Sequence, residues 1–305
     1  MMFRRQQRRS KMSLPVVEDL SKELVPVFGR NVFAVVIHNV LKADECESMI
    51  NRAEEVGFDQ ALINNNGRQV LNQDVRSCQR CMIDDEVVAD ALYQRIINAL
   101  QGTDLEKKVK TAPWLNQGEG EPIEAVGLNE RLRFLKYGQG HFFGPHKDIR
   151  YVRGIECGDR AGETSHVTVQ LYLNDKFKGG TTRFLAGKRY LDVKPRAGSV
   201  LIFDHELLHE GSKVTSGRKY SVRSDIMYTA RVDGPISFAG HSKQHQEDGA
   251  NNMAADGNQT FYNSKVAPAP APAPAKVEVE VKESRSQGGA IGAEKGFMHH
   301  QCCLN

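Results

Sequence analysis

Between Arg131 and Tyr228 the chain breaks into short runs rich in β-branched and aromatic residues: Arg131 to Tyr137, His166 to Asn174, Thr181 to Phe184, Ser199 to Phe203 and Tyr220 to Tyr228. Gly138, Gly140, Gly144, Gly179, Gly180, Gly198, Gly211 and Gly217 mark the turns between them. Short antiparallel strands with this punctuation predict a jelly roll or closed barrel rather than a parallel sheet.

The region before Glu124 reads differently. Val32 to Ile37 is short, apolar and β-branched, which suits a buried strand. A helix is predicted over Ala43 to Val56, where Cys46, Met49, Ile50 and Ala53 share a face and Gly57 stops the run. A second is predicted over Asp84 to Leu100, with Val88, Leu92, Ile96 and Ala99 in one stripe and Gly102 at its end. Helices first and strands later predict an α+β fold, a double-stranded β-helix (jelly-roll) core backed by N-terminal helices. The expected organisation is a basic, disordered stretch over 1–28 and a domain over 29–235. Within that domain, helical support spans 29–123 and the jelly roll about 124–232. A disordered tail follows over 236–305, with a stiff Ala-Pro linker at 267–275.

Charge narrows the function classes. The chain has 41 basic and 38 acidic residues, but Arg4, Arg5, Arg8, Arg9 and Lys11 crowd its start. Setting those five aside leaves a body close to neutral, so no nucleic-acid partner is expected. No apolar run reaches the roughly 18 residues of a membrane span, and no membrane partner is expected. The expected compartment is cytoplasmic, the basic start leaving organelle or nuclear import open. Six scattered cysteines do not make a disulfide framework. Cys78 and Cys81 form a C-x-x-C, but Cys157 stands alone far downstream, so no structural zinc site is predicted. His299, His300, Cys302 and Cys303 are rich in metal-binding groups yet lack a scaffold.

His146 and Asp148 are two residues apart, and on an extended strand such residues share a face with Cα atoms about 6.5 to 7 Å apart. Both can reach one ion. His209, just after the strand ending at Phe203, is the candidate third donor. Two imidazoles and one carboxylate on one side of an ion form the facial triad of non-haem iron(II) oxygenases, which leaves coordination positions open. Lys219 follows ten residues beyond His209.

With these residues the segment Leu132 to Tyr228 resembles the catalytic core of iron(II)- and 2-oxoglutarate-dependent dioxygenases, in the branch that includes the prolyl 4-hydroxylase catalytic subunit. The matching pieces fall in the family's order: Tyr137-Gly138, His146-x-Asp148, Tyr172-Leu173-Asn174, Gly179-Gly180-x-Thr182-x-Phe184, Pro195-x-x-Gly198, His209-Glu210 and Lys219. The resemblance implies that His146, Asp148 and His209 hold Fe(II), and that Lys219 binds the distal carboxylate of 2-oxoglutarate. Ser221 shares a face with Lys219 and is expected to add a hydroxyl donor. Tyr137, Tyr172 and Thr182 occupy positions that line the 2-oxoglutarate pocket in relatives.

The implied reaction decarboxylates 2-oxoglutarate to succinate and carbon dioxide, consumes dioxygen and hydroxylates a substrate, with ascorbate as reductant. The expected substrate is a prolyl residue in a peptide or protein. Alternatives are a free amino acid or small metabolite, or a catalytically silent 2-oxoglutarate sensor. Arg223, on the Lys219 face, and Arg150 and Tyr151 are candidate substrate contacts. The charged stretch Ile149 to Ser165 is the candidate lid.

Overall fold

The computed structural model describes residues 13–28, 32–65, 68–115 and 122–230, together with the backbone of 259–260. The basic cluster through Lys11, the Ala-Pro linker and the His299 to Cys303 cluster lie outside the described residues.

Two antiparallel sheets build the core. The larger runs, edge to edge, Val16–Asp19, Ala34–His38, Val200–Asp204, Thr164–Tyr172, Lys219–Ala230, Arg131–Tyr137, Gln79–Asp84 and Asp59–Gln60, with Ile123–Leu128 also pairing to Lys219–Ala230. The smaller runs Arg189–Val193, Thr182–Ala186, His209–Gly211 and Phe143–Asp148, with Gln259–Thr260 beyond. From Arg131 onward the chain crosses repeatedly between them: Arg131–Tyr137 in the larger, Phe143–Asp148 in the smaller, Thr164–Tyr172 back in the larger. Thr182–Ala186 and Arg189–Val193 then lie in the smaller, Val200–Asp204 in the larger, His209–Gly211 in the smaller and Lys219–Ala230 in the larger. This winding is the double-stranded β-helix that the glycine cadence predicts.

Side chains alternate across each strand, and the alternation gives the larger sheet two different faces. Val222, Ile226 and Tyr228 of Lys219–Ala230 point outward with Val167, Val169 and Leu171 of the neighbouring strand. There they meet Cys46 and Ala53 of helix Ala43–Val56 and Leu92, Ile96 and Leu100 of helix Glu86–Leu100. Each fully buried leucine or isoleucine contributes about 1.5 to 3 kcal/mol. The other face, carrying Lys219, Ser221, Arg223 and Asp225, turns toward the smaller sheet and is polar although buried.

Three local features depart from expectation. Residues 16–28 are part of the fold: Val16–Asp19 pairs with Ala34–His38, and helix Ser21–Phe28 buries Leu24 against a cluster containing Tyr172, Phe184 and Phe203. Leu20 joins Leu24 in that buried cluster. The second helix begins at Glu86 rather than Asp84. Asp84 instead ends the strand Gln79–Asp84 and pairs with Arg131 at 2.9 Å, while the Asp85 carboxylate accepts from Val88 N at 2.9 Å and caps the helix. A further helix, Asp104–Thr111, starts on the Thr103 hydroxyl, which accepts from Glu106 N at 3.3 Å, and buries Leu105 and Val109.

Candidate active site

His146 and Asp148 stand two residues apart on Phe143–Asp148, and His209 opens the adjacent strand directly opposite His146 in register. One donor atom from each lies within 4.8 Å of the others, and all three residues are buried. The ring geometry fixes the tautomers. His146 Nδ1 is 2.8 Å from Gly144 O and His209 Nδ1 is 2.9 Å from Leu207 O. A carbonyl only accepts, so each Nδ1 carries the proton and each Nε2 keeps its lone pair. Both Nε2 atoms are 3.8 Å from an Asp148 oxygen. Asp148 Oδ2 accepts from Thr168 Oγ1 at 2.5 Å, whereas Oδ1 accepts no hydrogen bond.

Protonation follows from the surroundings. Burial, and then the neighbouring His209, push the His146 imidazole well below its ordinary range; burial does the same to His209. Burial alone would raise the Asp148 carboxyl, but the Arg223 guanidinium and the surrounding imidazoles hold it far below the usual carboxylate range. Two neutral imidazoles and one ionised carboxylate, one of whose buried oxygens accepts no hydrogen bond, are the donor set that Fe(II) takes, so these residues fit that ion.

Lys219 opens the longest strand and is 3% exposed. Its Nζ donates to Gly180 O at 2.8 Å and lies 5.2 and 5.5 Å from the Tyr137 and Tyr172 ring centres. No carboxylate among the described residues pairs with it. Burial drags its pKa down to about 8. Gly180 has φ +66°, and a Cβ there would stand 2.9 Å from Phe177 and 3.3 Å from Lys219 Cδ, so the lysine's resting place requires glycine.

One cavity joins the two halves of the site: His146, Asp148, His209, Lys219, Tyr137, Thr182, Ser221 and Arg223 all line it. Ser221 Oγ is buried there without a hydrogen-bond partner. Tyr172 does not line the cavity; its hydroxyl stands 2.7 Å from Thr182 Oγ1, behind that wall.

The expected substrate contacts separate. Arg223 lines the cavity but is tied to Asp148 and Asp225, at 3.2 and 3.0 Å. Arg150 is exposed, Tyr151 is half-buried, and neither lines the cavity. Their loop is strapped down: Arg153, 3% exposed, makes two hydrogen bonds of 2.8 and 2.6 Å to Glu130 and one of 2.8 Å to Glu163, and Arg160 reaches Glu130 at 2.7 Å. The charges that suggest a lid thus fasten the loop to the barrel.

Several residues of the site escaped the sequence reading. Thr168 braces Asp148, Arg133 Nη1 donates to Asp225 Oδ2 at 3.0 Å, and His205 Nε2 is 3.4 Å from Asp225 Oδ1. Arg76 and Gln170 line the cavity. The period-2 rule extends from Lys219 through Ser221 and Arg223 to Asp225, and would have added that acid. Thr168 and Arg76 depend on strand register and a distant loop, which spacing does not encode.

Residues 132–224 match the family model described as the 2OG-Fe(II) oxygenase superfamily. Among curated proteins the chain is similar to a probable prolyl 4-hydroxylase 3 of Arabidopsis thaliana, 25% identical over 62% of this chain and 67% of the relative. It is also similar to prolyl 4-hydroxylase 5 of that plant, 26% identical over 70% and 75%. Among solved structures it is similar to a Pseudomonas putida prolyl-4-hydroxylase, with 21% identity, 68% and 96% coverage and a TM-score of 0.41. A Trichoplax adhaerens prolyl hydroxylase in complex with a hypoxia inducible factor peptide fragment gives 15%, 68%, 87% and 0.44. The family match spans the strands that carry the triad and Lys219, so residues 132–224 form a 2OG-Fe(II) oxygenase core, and the chain around it is similar to prolyl 4-hydroxylases.

Proposed function

We propose that this enzyme hydroxylates a prolyl residue of a peptide or protein while decarboxylating 2-oxoglutarate to succinate and carbon dioxide. The observation that carries the reading is a single cavity with a carboxylate and two neutral imidazoles in one part and an uncompensated ammonium in another. That combination suits a divalent ion together with a chelating diacid. His146, Asp148 and His209 would hold Fe(II), and bound iron would supply the redox chemistry that divides dioxygen between 2-oxoglutarate and substrate.

The chain's own residues do the positioning. Gly144 O and Leu207 O fix the two rings by their Nδ1 protons, so neither must reorient when its Nε2 is used. Thr168 Oγ1 holds Asp148 in one rotamer. Lys219 Nζ would bind the distal carboxylate, with Ser221 Oγ as a second donor, in a setting dry enough that the pairing is strong. Phe143 stacks on His146 and Phe203 meets His209 edge-on, with ring centres 3.7 and 4.7 Å apart, and both add apolar surface beside the ligand side. Tyr137, buried with its phenol pushed well above the usual range by burial, stays protonated as a donor into the cavity. Ascorbate would serve as external reductant.

The names of the Arabidopsis relatives support a prolyl substrate. The test is an anaerobic titration of purified protein with Fe(II) and 2-oxoglutarate, followed by dioxygen, ascorbate and a panel of proline peptides. A visible charge-transfer band, then succinate and hydroxyproline in equal amounts, is expected, and His146→Ala abolishes all three. No band would sink the oxygenase reading, and succinate without hydroxyproline on every peptide would sink the prolyl one.

A further inference from the structure

The cavity wall carries more positive charge than 2-oxoglutarate requires. Arg133 and Arg223 are neutralised by Asp225 and Asp148, and Lys219 belongs to the 2-oxoglutarate end of the pocket. Glu210, the other acid at the wall, is turned to Ser212 Oγ at 2.9 Å and lies 4.0 Å from Arg183. Arg76 is left over. It is 4% exposed and lines the cavity, yet no carboxylate among the described residues pairs with it. Its Nε donates to Cys78 Sγ at 3.0 Å, and its guanidinium carbon sits 4.4 Å from the centre of the Phe143 ring. The same ring stacks on His146, so the guanidinium is one aromatic ring away from the triad.

A thiol and a phenyl ring hold a guanidinium in place without neutralising it. Arg76 is anchored through Nε and the flat of its guanidinium, which leaves its terminal nitrogens as the part able to form a fork onto a carboxylate or phosphate. Cationic groups remaining in a desolvated cavity after the co-substrate's charge is matched select a substrate of opposite sign.

We propose that the substrate bears an anionic group, a carboxylate or a phosphate, next to the carbon that is hydroxylated, and that Arg76 binds it. This rests on the oxygenase reading above and narrows its substrate class. A plain, uncharged proline peptide is then a poor substrate.

The test uses matched probes on protein loaded with Mn(II) and 2-oxoglutarate, so that binding is read without turnover. The pairs are N-acetylproline against N-acetylprolinamide, acetyl-Pro-Glu-amide against acetyl-Pro-Gln-amide, and acetyl-Pro-phosphoserine-amide against acetyl-Pro-Ser-amide. They separate a terminal carboxylate, a side-chain carboxylate and a phosphate. In at least one pair the anionic member is expected to bind roughly tenfold tighter or better, as for a charge-assisted bidentate contact. That ratio should fall below about twofold in Arg76→Gln and recover in part in Arg76→Lys. Being taken within one variant, the ratio is insensitive to a partial loss of folded protein. Equal affinity within every pair, no binding by any anionic member, or an unchanged ratio in Arg76→Gln overturns the proposal. A loss of 2-oxoglutarate affinity in Arg76→Gln in place of the ratio change also overturns it. Succinate formation by the wild-type Fe(II) enzyme is measured separately: if it is missing, the oxygenase reading fails whatever the pairs show.

Discussion

Arg223 Nη2 stands 3.2 Å from Asp148 Oδ1 and 3.0 Å from Asp225 Oδ1, so one guanidinium bridges the candidate metal-binding carboxylate to a second buried acid. Arg133 closes on Asp225 from its other oxygen. Two arginines and two carboxylates thus balance inside a buried wall, and removing one partner leaves a buried charge uncompensated. Arg223→Met is expected to cost about 3 kcal/mol of stability in the metal-free protein. The loss should shrink when Mn(II) is present, because a divalent ion takes over the neutralisation of Asp148. Urea unfolding with and without Mn(II) reads both numbers, and equal losses would mean that Arg223 serves Asp225 alone.

Lys219 presents the opposite case, a buried cation with no acid beside it among the described residues. Its pKa, depressed to about 8, lies below that of a lysine in the unfolded chain. Between about pH 8 and 10.5 the unfolded chain holds a proton that the native state has released, so the metal-free protein gains stability as pH rises through that window. Lys219→Met removes the desolvated charge; it should leave the unliganded protein at least as stable at pH 7 and flatten that rise. The same variant should lose about 100-fold or more in 2-oxoglutarate affinity, the worth of about 3 kcal/mol for one partner of a buried pair. In the wild type, 2-oxoglutarate binding should weaken as pH climbs past 8. Calorimetric titration at pH 7, 8 and 9 checks the direction, and a constant affinity would place the distal carboxylate elsewhere.

Much of this arrangement is legible in the sequence because strands alternate. His146 and Asp148 on one strand, and Lys219, Ser221 and Arg223 on another, share faces by counting in twos, and helix Ala43–Val56 has the limits its apolar spacing gives. What counting misses is pairing between strands. Thr168 meets Asp148 only because Thr164–Tyr172 lies across the barrel from Phe143–Asp148, and Arg76 reaches the cavity from a loop 70 residues before His146. The loop Ile149 to Ser165 shows the converse error: charge alone does not say whether a residue faces solvent or a partner, and Arg153 has its partners in Glu130 and Glu163.

The two candidate metal-binding imidazoles should compete weakly with protons. An ordinary histidine begins to charge below about pH 6.5 and then repels a metal ion. Burial pushes His146 and His209 below that range, so they stay neutral at lower pH. Mn(II) affinity is therefore expected to change by less than about twofold between pH 7.5 and 6.5, against the roughly threefold expected from two unshifted histidines. Metal titrations at the two values decide it. His209→Ala should abolish the metal-induced rise in Tm at both.

Glu130 fastens the loop through Arg153 and Arg160, and its carboxyl is held down at about pH 2: burial would raise it, but the Arg153 hydrogen bonds prevail. A depressed carboxyl stabilises the native state above its unfolded pKa near 4.5, and that contribution fades as pH falls from there toward 2. Glu130→Gln keeps a polar side chain but strips the charge opposite Arg153, which should cost the loop about 2 kcal/mol for a half-buried pair. The backbone bonds from Arg153 N to Glu163 O and from Ser165 N to Tyr151 O, 2.9 and 2.8 Å long, report on it directly. Hydrogen exchange at those two amides should quicken by roughly 30-fold in the variant, the equivalent of about 2 kcal/mol. Amides in the strand Lys219–Ala230 should keep their protection. Unchanged exchange at Arg153 and Ser165 would mean that the loop stays in place without its ionic strap, held by Ser165 and its neighbours alone.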